Sequence, residues 1–284
     1  MTKTLLSFGH GYSAKALTEL LIPQGWRVIG TTRSAEKAEV LAATGVEPLI
    51  FPGDDVTEAL GTATHLLISA GPDAEGDPVL RAVGDQIAAR AAEFEWVGYL
   101  STTGVYGDHG GNWVDEDTPL SPSTRRGQWR KEAEAAWASI PNVLLHIFRL
   151  AGIYGPGRGP FAKVRAGTAR RIIKPNQVFS RIHVEDIAQI VAASIANPDP
   201  GTAYNVCDDD PAPPQDVIEH AAHLLGLPIP PAEDFETAEM TPMARSFYAE
   251  SKRVRNDRIK DALGVTLKYP TYKEGLAALL QQSE

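Results

Sequence analysis

The sequence predicts an α/β fold in which a doubly wound parallel sheet is followed by a small C-terminal lobe, and three observations predict it. Short aliphatic or β-branched runs alternate with helix-period segments along most of the chain, the pattern of βαβ units. The first such run enters a glycine turn and then a helix without a gap. After about Asp208 the composition changes, with Asp208-Asp209-Asp210-Pro211-Ala212-Pro213-Pro214 forming a loop and prolines returning at 228, 230 and 231.

Taken in order, Thr4 to Phe8 reads as a strand leading into Gly9-His10-Gly11-Tyr12-Ser13-Ala14. Leu17, Leu20 and Leu21 recur at helical spacing, and Pro23 with Gly25 ends that helix before a second strand at Arg27 to Thr31. Further strands are expected at Glu47 to Phe51, His65 to Ser69, Trp96 to Leu100, Val143 to Arg149 and Ala203 to Val206. The sheet domain is expected to span residues 1–208, with an excursion toward the small lobe near 156–180, and the lobe itself residues 209–284.

Composition sets limits on function. The chain has 284 residues, 43% hydrophobic and 22% charged, which is ordinary for a globular protein. A net charge of -9 argues against nucleic-acid or membrane-surface partners, because both need a basic footprint. Cys207 is the single cysteine, so neither an internal disulfide nor a cysteine-based metal site is possible, and a reducing cytoplasm fits. No apolar stretch is long enough to span a bilayer.

The strand-turn-helix context gives the glycines a chemical meaning. Gly9 makes the tight turn, Gly11 lets a pyrophosphate approach the backbone, and Ala14 keeps helix and strand close. His10, Tyr12 and Ser13 complete the turn, whose helix would offer free N–H groups to the phosphates of a dinucleotide. At the end of the second strand, an acid would suit the ribose 2′-OH of NAD and an arginine the 2′-phosphate of NADP. The chain has Thr32-Arg33-Ser34 there, which favours NADP over NAD, the alternative being a solvated arginine at a helix start. Asp54 and Asp55 follow the third strand as acceptors for the adenine amino group or as helix caps. Ser69, Ala70 and Gly71, just past the fourth strand, complete the expected cofactor set.

Several later segments resemble the extended short-chain dehydrogenases/reductases, the family that includes NAD-dependent nucleotide-sugar epimerases and dehydratases. The segments are Tyr99-Leu100-Ser101-Thr102-Thr103-Gly104-Val105-Tyr106-Gly107, then Arg149-Leu150-Ala151-Gly152-Ile153-Tyr154-Gly155-Pro156, Arg181-Ile182-His183-Val184-Glu185-Asp186 and Tyr204-Asn205-Val206. Ser251 to Asn256 and Tyr269-Pro270-Thr271-Tyr272 are similar to the family's small substrate lobe. The resemblance implies a Rossmann-type sheet, a nicotinamide cofactor, a small carbonyl or sugar-like substrate and pairing into a homodimer.

One motif of the family is replaced. Where it carries Tyr-Gly-x-x-Lys, this chain reads Arg126-Gly127-Gln128-Trp129-Arg130, with Glu134 four residues on. Arginine stays protonated throughout the working range and cannot relay a proton as tyrosine does. The chain is therefore identified as an atypical member. Thr102 is expected at the family's Ser/Thr position, and Tyr106 as a substitute acid on the ligand edge of the sheet. Arg126 and Arg130 are expected to grip the cofactor or an anionic substrate, or else to be solvated. Tyr154, Lys252 and Arg253 are the expected substrate contacts, with His109 and His183 as weaker proton-transfer candidates. The acids from Asp108 to Asp117 lack regular ligand spacing, so no metal site is expected. Two functions follow: an NADP-dependent oxidoreductase or epimerase, or a diverged NADP-binding redox sensor.

Overall fold

The computed structural model describes residues 3–282, so the outermost two residues at each end of the expected domain ranges lie outside the described residues. The main sheet has seven strands: β1 (Thr4–Phe8), β2 (Arg27–Thr32), β3 (Glu47–Ile50), β4 (His65–Ile68), β5 (Trp96–Thr102), β7 (Leu145–Leu150) and β11 (Ala203–Val206). Their order is β11-β7-β5-β4-β1-β2-β3, and every pairing is parallel. Successive side chains of a strand face opposite sides, so Leu5 joins one core layer and Leu6 the other.

The first layer lies under α1 (Tyr12–Leu21) and α7 (Val184–Ala196), with Leu17, Trp96, Phe148, Ile187 and Tyr204 at its centre. α2 (Ala35–Ala42) packs beside β3, its Leu41 in the same layer. The second layer lies under α3 (Thr57–Thr62), α4 (Pro78–Ala89) and α5 (Arg125–Ala138), built on Phe8, Ile68, Ile87, Tyr99 and Trp137. Trp137 is fully buried beside Tyr99, with ring centroids 6.3 Å apart. Trp129, two turns away, is half-buried.

A third apolar cluster forms apart from the sheet. It joins Phe161 and Val164 of α6 (Phe161–Arg165) to Val217 and Ala221 of α8 (Pro214–Leu224) and to Leu276 and Leu279 of α11 (Tyr272–Gln282). Not all of the stretch from 209 onward goes there. Ile259 of α10 (Asp257–Asp261), with Leu263, Val265 and Leu267, packs into the first sheet layer instead.

Short parallel pairs stitch distant segments together. β6 (Trp113–Val114) pairs with β13 (Arg253–Val254), β8 (Gly152–Tyr154) with β10 (Arg181–His183), and β9 (Arg171–Ile173) with β12 (Ala232–Asp234). α9 (Pro242–Phe247) lies between β12 and β13 in the chain. The outer strands of the main sheet are β3, where Pro48 pairs with Gly30, and β11, against which α10 packs, Arg258 Nη1 donating to Ala203 O at 3.3 Å.

Candidate functional site

The strand order reverses between β1 and β4, so a crevice opens beyond their C-terminal ends, the position where open α/β sheets bind ligands. The glycine turn sits there. Gly9 has φ +76°, and a Cβ on it would lie 2.7 Å from the backbone nitrogen of Ala70, so the turn is pressed against the loop after β4. Gly9 N donates to Thr31 Oγ1 at 2.8 Å, and His10 N to Thr31 O at 2.9 Å. Gly11 caps α1 without a side-chain bond, which leaves the N–H groups of Tyr12 and Ser13 for an outside acceptor.

The rest of the expected cofactor set divides. Arg33 is exposed just past β2 and pairs with no carboxylate among the described residues, and no acid stands at that strand end. Thr32 is half-buried beside it, and Ser34 Oγ caps α2 by accepting from Lys37 N at 3.4 Å. Asp54 accepts from Ile50 N at 2.7 Å and Asp55 from Thr57 N at 2.9 Å, so both carboxylates serve local turns. The His10 ring is sunk below the turn without a hydrogen bond, leaving only its backbone at the site. Ser69 and Ala70 are half-buried and Gly71 exposed at the mouth of the crevice. Free helix N–H groups at a glycine turn fit the pyrophosphate of a nicotinamide dinucleotide.

At the other end, Thr102 Oγ1 accepts from Gly104 N at 3.2 Å, so its own proton is free to donate. α5 docks on the short turn after β5: a Cβ on Gly127 would lie 2.7 Å from Gly104 O, and Thr124 Oγ1 caps the helix by accepting from Gly127 N. This contact holds Arg126 and Arg130 on the cleft side. Arg130 Nη1 donates to Leu100 O at 2.7 Å and Tyr99 Oη at 3.1 Å, whereas Arg126 is exposed and pairs with no acid among the described residues.

Tyr106 departs from expectation. It is fully buried and does not line the cleft, because the 3₁₀ turn over Thr103–Tyr106 carries its ring under the sheet edge. Its hydroxyl donates to Asn205 Oδ1 at 2.7 Å and accepts from Arg149 Nη1 at 2.9 Å. Arg149 also pairs with buried Glu134 at 2.9 Å, and Glu134 accepts from the Ser101 hydroxyl. A phenol locked in such a network, its pKa pushed up to about 12 by burial, is a structural member of α5, β5, β7 and β11.

The crevice continues into a cavity of about 1120 Å³ between the main sheet and the third apolar cluster. Its wall includes Ser13, Ser69, Thr102, Arg126 and Arg130 at one end and Tyr154, Phe179, Arg181, Tyr248 and Tyr272 at the other. Tyr154 and Lys252 thus line the same space as the glycine turn. Lys252 is tied to Gly107 O and Glu250, each at 2.7 Å. Arg253 does not line it and donates to Gly111 O instead. His109 contacts Tyr106 O at 3.1 Å, and His183 is buried at the start of α7, accepting from Glu185 N at 3.2 Å. Neither imidazole lines the cavity.

Arg158, Arg181 and Tyr248 were not singled out by sequence. A lone charge in the apolar strand before His183 was the available signal for Arg181. Arg158 reaches back to the glycine turn, its guanidinium 5.7 Å from the Tyr12 ring, while Tyr12 Oη donates to Pro156 O at 3.0 Å. Among the described residues no group of His, Cys, Asp or Glu is arranged to hold a metal, and no helix is long and apolar enough to cross a membrane.

Burial makes stability pH-dependent in two directions. It pushes the imidazoles of His10, His65 and His183 down to about 4, and the Asp208 carboxyl up to about 8. Below pH 6.5 the unfolded chain takes up histidine protons that the folded chain refuses, so this stabilisation is lost as pH falls toward 4. Asp208 works oppositely: the folded chain keeps its proton, and that contribution is lost as pH rises through about 8. The four groups together place maximum stability near pH 7, with a slope on the order of 1.4 kcal/mol per pH unit for each net proton. Urea midpoints measured from pH 4.5 to 8.5 should fall on both sides, more steeply on the acid side.

No protein-family model matches the chain. Protein YeeZ of Escherichia coli K12 is 28% identical over 281 residues, covering 94% of this chain and 97% of that one. The 3-diazoavenalumate denitrifying reductase of a Streptomyces species is 26% identical, covering 94% and 91%. A functionally unknown conserved protein from Silicibacter pomeroyi superposes over the whole of both chains with a TM-score of 0.95 and 66% identity. A Methylobacillus flagellatus protein assigned to the NAD-dependent epimerases/dehydratases gives 0.69 and 28%, over 99% of this chain and 98% of that one. The human epimerase family protein SDR39U1, solved with NADPH, shares the fold at 0.77 and 17%, over 98% and 99%. With its parallel sheet, its Rossmann-type glycine turn and arginines where the motif has Tyr and Lys, the chain shares the fold of the NAD-dependent epimerases/dehydratases and is similar over nearly its whole length to one such protein and to a reductase.

Proposed function

We propose that this protein is an NADP(H)-dependent oxidoreductase acting on a small carbonyl compound in the reducing cytoplasm. The observation that carries the reading is a continuous cavity running from the glycine turn, past Thr102 and Arg126, to the aromatic lobe wall, so that a dinucleotide and a second molecule would share one space. The likeness to a reductase over nearly the whole chain supports the redox class. NADPH would supply hydride. Tyr12 and Ser13 N–H groups would hold its pyrophosphate, Arg33 its 2′-phosphate, and Arg130, with the residues after β4, the nicotinamide end.

The chain's own part in the reaction is electrostatic. The Thr102 hydroxyl donates a hydrogen bond to the substrate oxygen, and the permanently charged Arg126 stabilises the negative charge that develops there. The proton is taken from solvent, because neither arginine can release one and Tyr106 is sealed away. That sealing favours a second reading, a sensor that binds NADP(H) without turnover. Stereospecific exchange from deuterated NADPH with a carbonyl panel separates the two. Pairing of two copies through α4 and α5 belongs to the same proposal, and sedimentation velocity tests it.

Titration calorimetry tests the cofactor assignment. NADPH should bind more tightly than NADH, and Arg33→Ala should weaken NADPH by roughly tenfold to a hundredfold while leaving NADH unchanged, the loss expected for a charge-assisted phosphate contact. Equal affinities for the two cofactors in the unaltered protein would remove the basis for NADP.

A further inference from the structure

One cation on the lobe side of the cavity has no counter-ion. Arg181, on β10, is half-buried, and its open side is the cavity wall between Tyr154 and Tyr272. Its Nη1 donates to the carbonyls of Phe179 at 2.8 Å and Ala212 at 3.0 Å. No carboxylate among the described residues comes within ion-pair distance of it, and its Nε and Nη2 make no hydrogen bond to them. The more deeply buried cations Arg149 and Lys252 are paired, with Glu134 and Glu250, whereas Arg130 at the other end of the cavity also lacks a carboxylate and donates to Leu100 O and Tyr99 Oη. The acid that most influences it, Asp208, is buried and pushed up to about 8, hence protonated and neutral at pH 7, with its Oδ2 unbonded. A guanidinium withdrawn from water without an anion is costly, and desolvation indeed lowers its pKa.

We propose that Arg181 is the seat of a substrate carboxylate, and that the lobe half of the cavity takes a planar aromatic or conjugated organic acid. This rests on the oxidoreductase reading and names what would lie beside the cofactor. Nε–H and Nη2–H form one edge of the guanidinium fork, which matches the two oxygens of a carboxylate in plane. A single cation with no second positive charge in contact suits one negative charge rather than the two of a phosphate. The body of the acid meets aromatic walls: Phe179 and Tyr248 stand edge to face at 6.0 Å, and the Tyr272 ring lies 5.9 Å from the Arg181 guanidinium.

The test is calorimetric titration of the full chain, without cofactor and then with NADPH, using cinnamate, its neutral isostere cinnamamide, and inorganic phosphate. Cinnamate should bind roughly tenfold or more tightly than cinnamamide, and phosphate more weakly than cinnamate. Arg181→Gln should remove that preference while cinnamamide and NADPH affinities stay unchanged, those two also reporting that the variant is folded. Equal binding of acid and amide, phosphate binding as tight as cinnamate, no cinnamate binding at all, or an undiminished preference in Arg181→Gln would each overturn the assignment. Because the acid–amide comparison is first made without cofactor, a failure to bind NADPH would sink the oxidoreductase reading alone.

Discussion

Replacing Arg149 with methionine is expected to lower the free energy of unfolding by about 3–5 kcal/mol, the scale for breaking a buried ion pair from one side. Arg149 and Glu134 are each less than a tenth exposed, and removing the guanidinium strands the Glu134 carboxylate among Ser101 and apolar neighbours. The same change takes a donor from the Tyr106 hydroxyl. Tyr106→Phe should cost less, about 1–3 kcal/mol, since it leaves Asn205 Oδ1 and one guanidinium N–H short of a neutral partner. Urea denaturation followed by tryptophan fluorescence measures both. A Tyr106→Phe protein that is fully stable yet unable to exchange hydride would instead restore Tyr106 as an acid.

Gly9→Ala is expected to abolish NADPH binding at any practical concentration. At φ +76° an L side chain costs roughly 1–2 kcal/mol of backbone strain, and here the added methyl would also meet Ala70 N at 2.7 Å. The turn can relieve that contact only by moving away from the loop after β4, which swings the first N–H groups of α1 off the crevice. Calorimetry with NADPH reads the loss, and circular dichroism shows whether the sheet survives it. Binding within threefold of the unaltered protein (about 0.6 kcal/mol) would contradict the placement of the pyrophosphate at this turn.

The parts of the molecule governed by local chemistry were readable in the chain. Each strand of the main sheet announces itself as an apolar run bounded by turn residues, and Thr4–Phe8 and Ala203–Val206 have the expected ends. The two-residue and three-residue pairs have no such signal. Trp113–Val114 finds its partner in Arg253–Val254, and nothing periodic marks segments so short and so far apart. The site divides the same way. The glycine turn follows from backbone geometry within six residues, whereas the fate of Tyr106 depends on Arg149 and Asn205, 43 and 99 positions away. A strand-end tyrosine looks alike in sequence whether it faces a ligand or closes a network. Arg181 stayed hidden for the opposite reason, since its interest lies in a partner it lacks.

The two outermost strands bear on how the protein keeps to itself in a crowded solution. An unpaired strand edge is a template onto which another chain can add, the first step toward fibrous aggregates. β3 begins Glu47-Pro48, combining a charge with a residue that has no N–H to offer a newcomer. On the far side, Arg258 of α10 caps the Ala203 carbonyl of β11. Both margins of the sheet are therefore blunted against growth by strand addition, and self-association is left to side-chain surfaces.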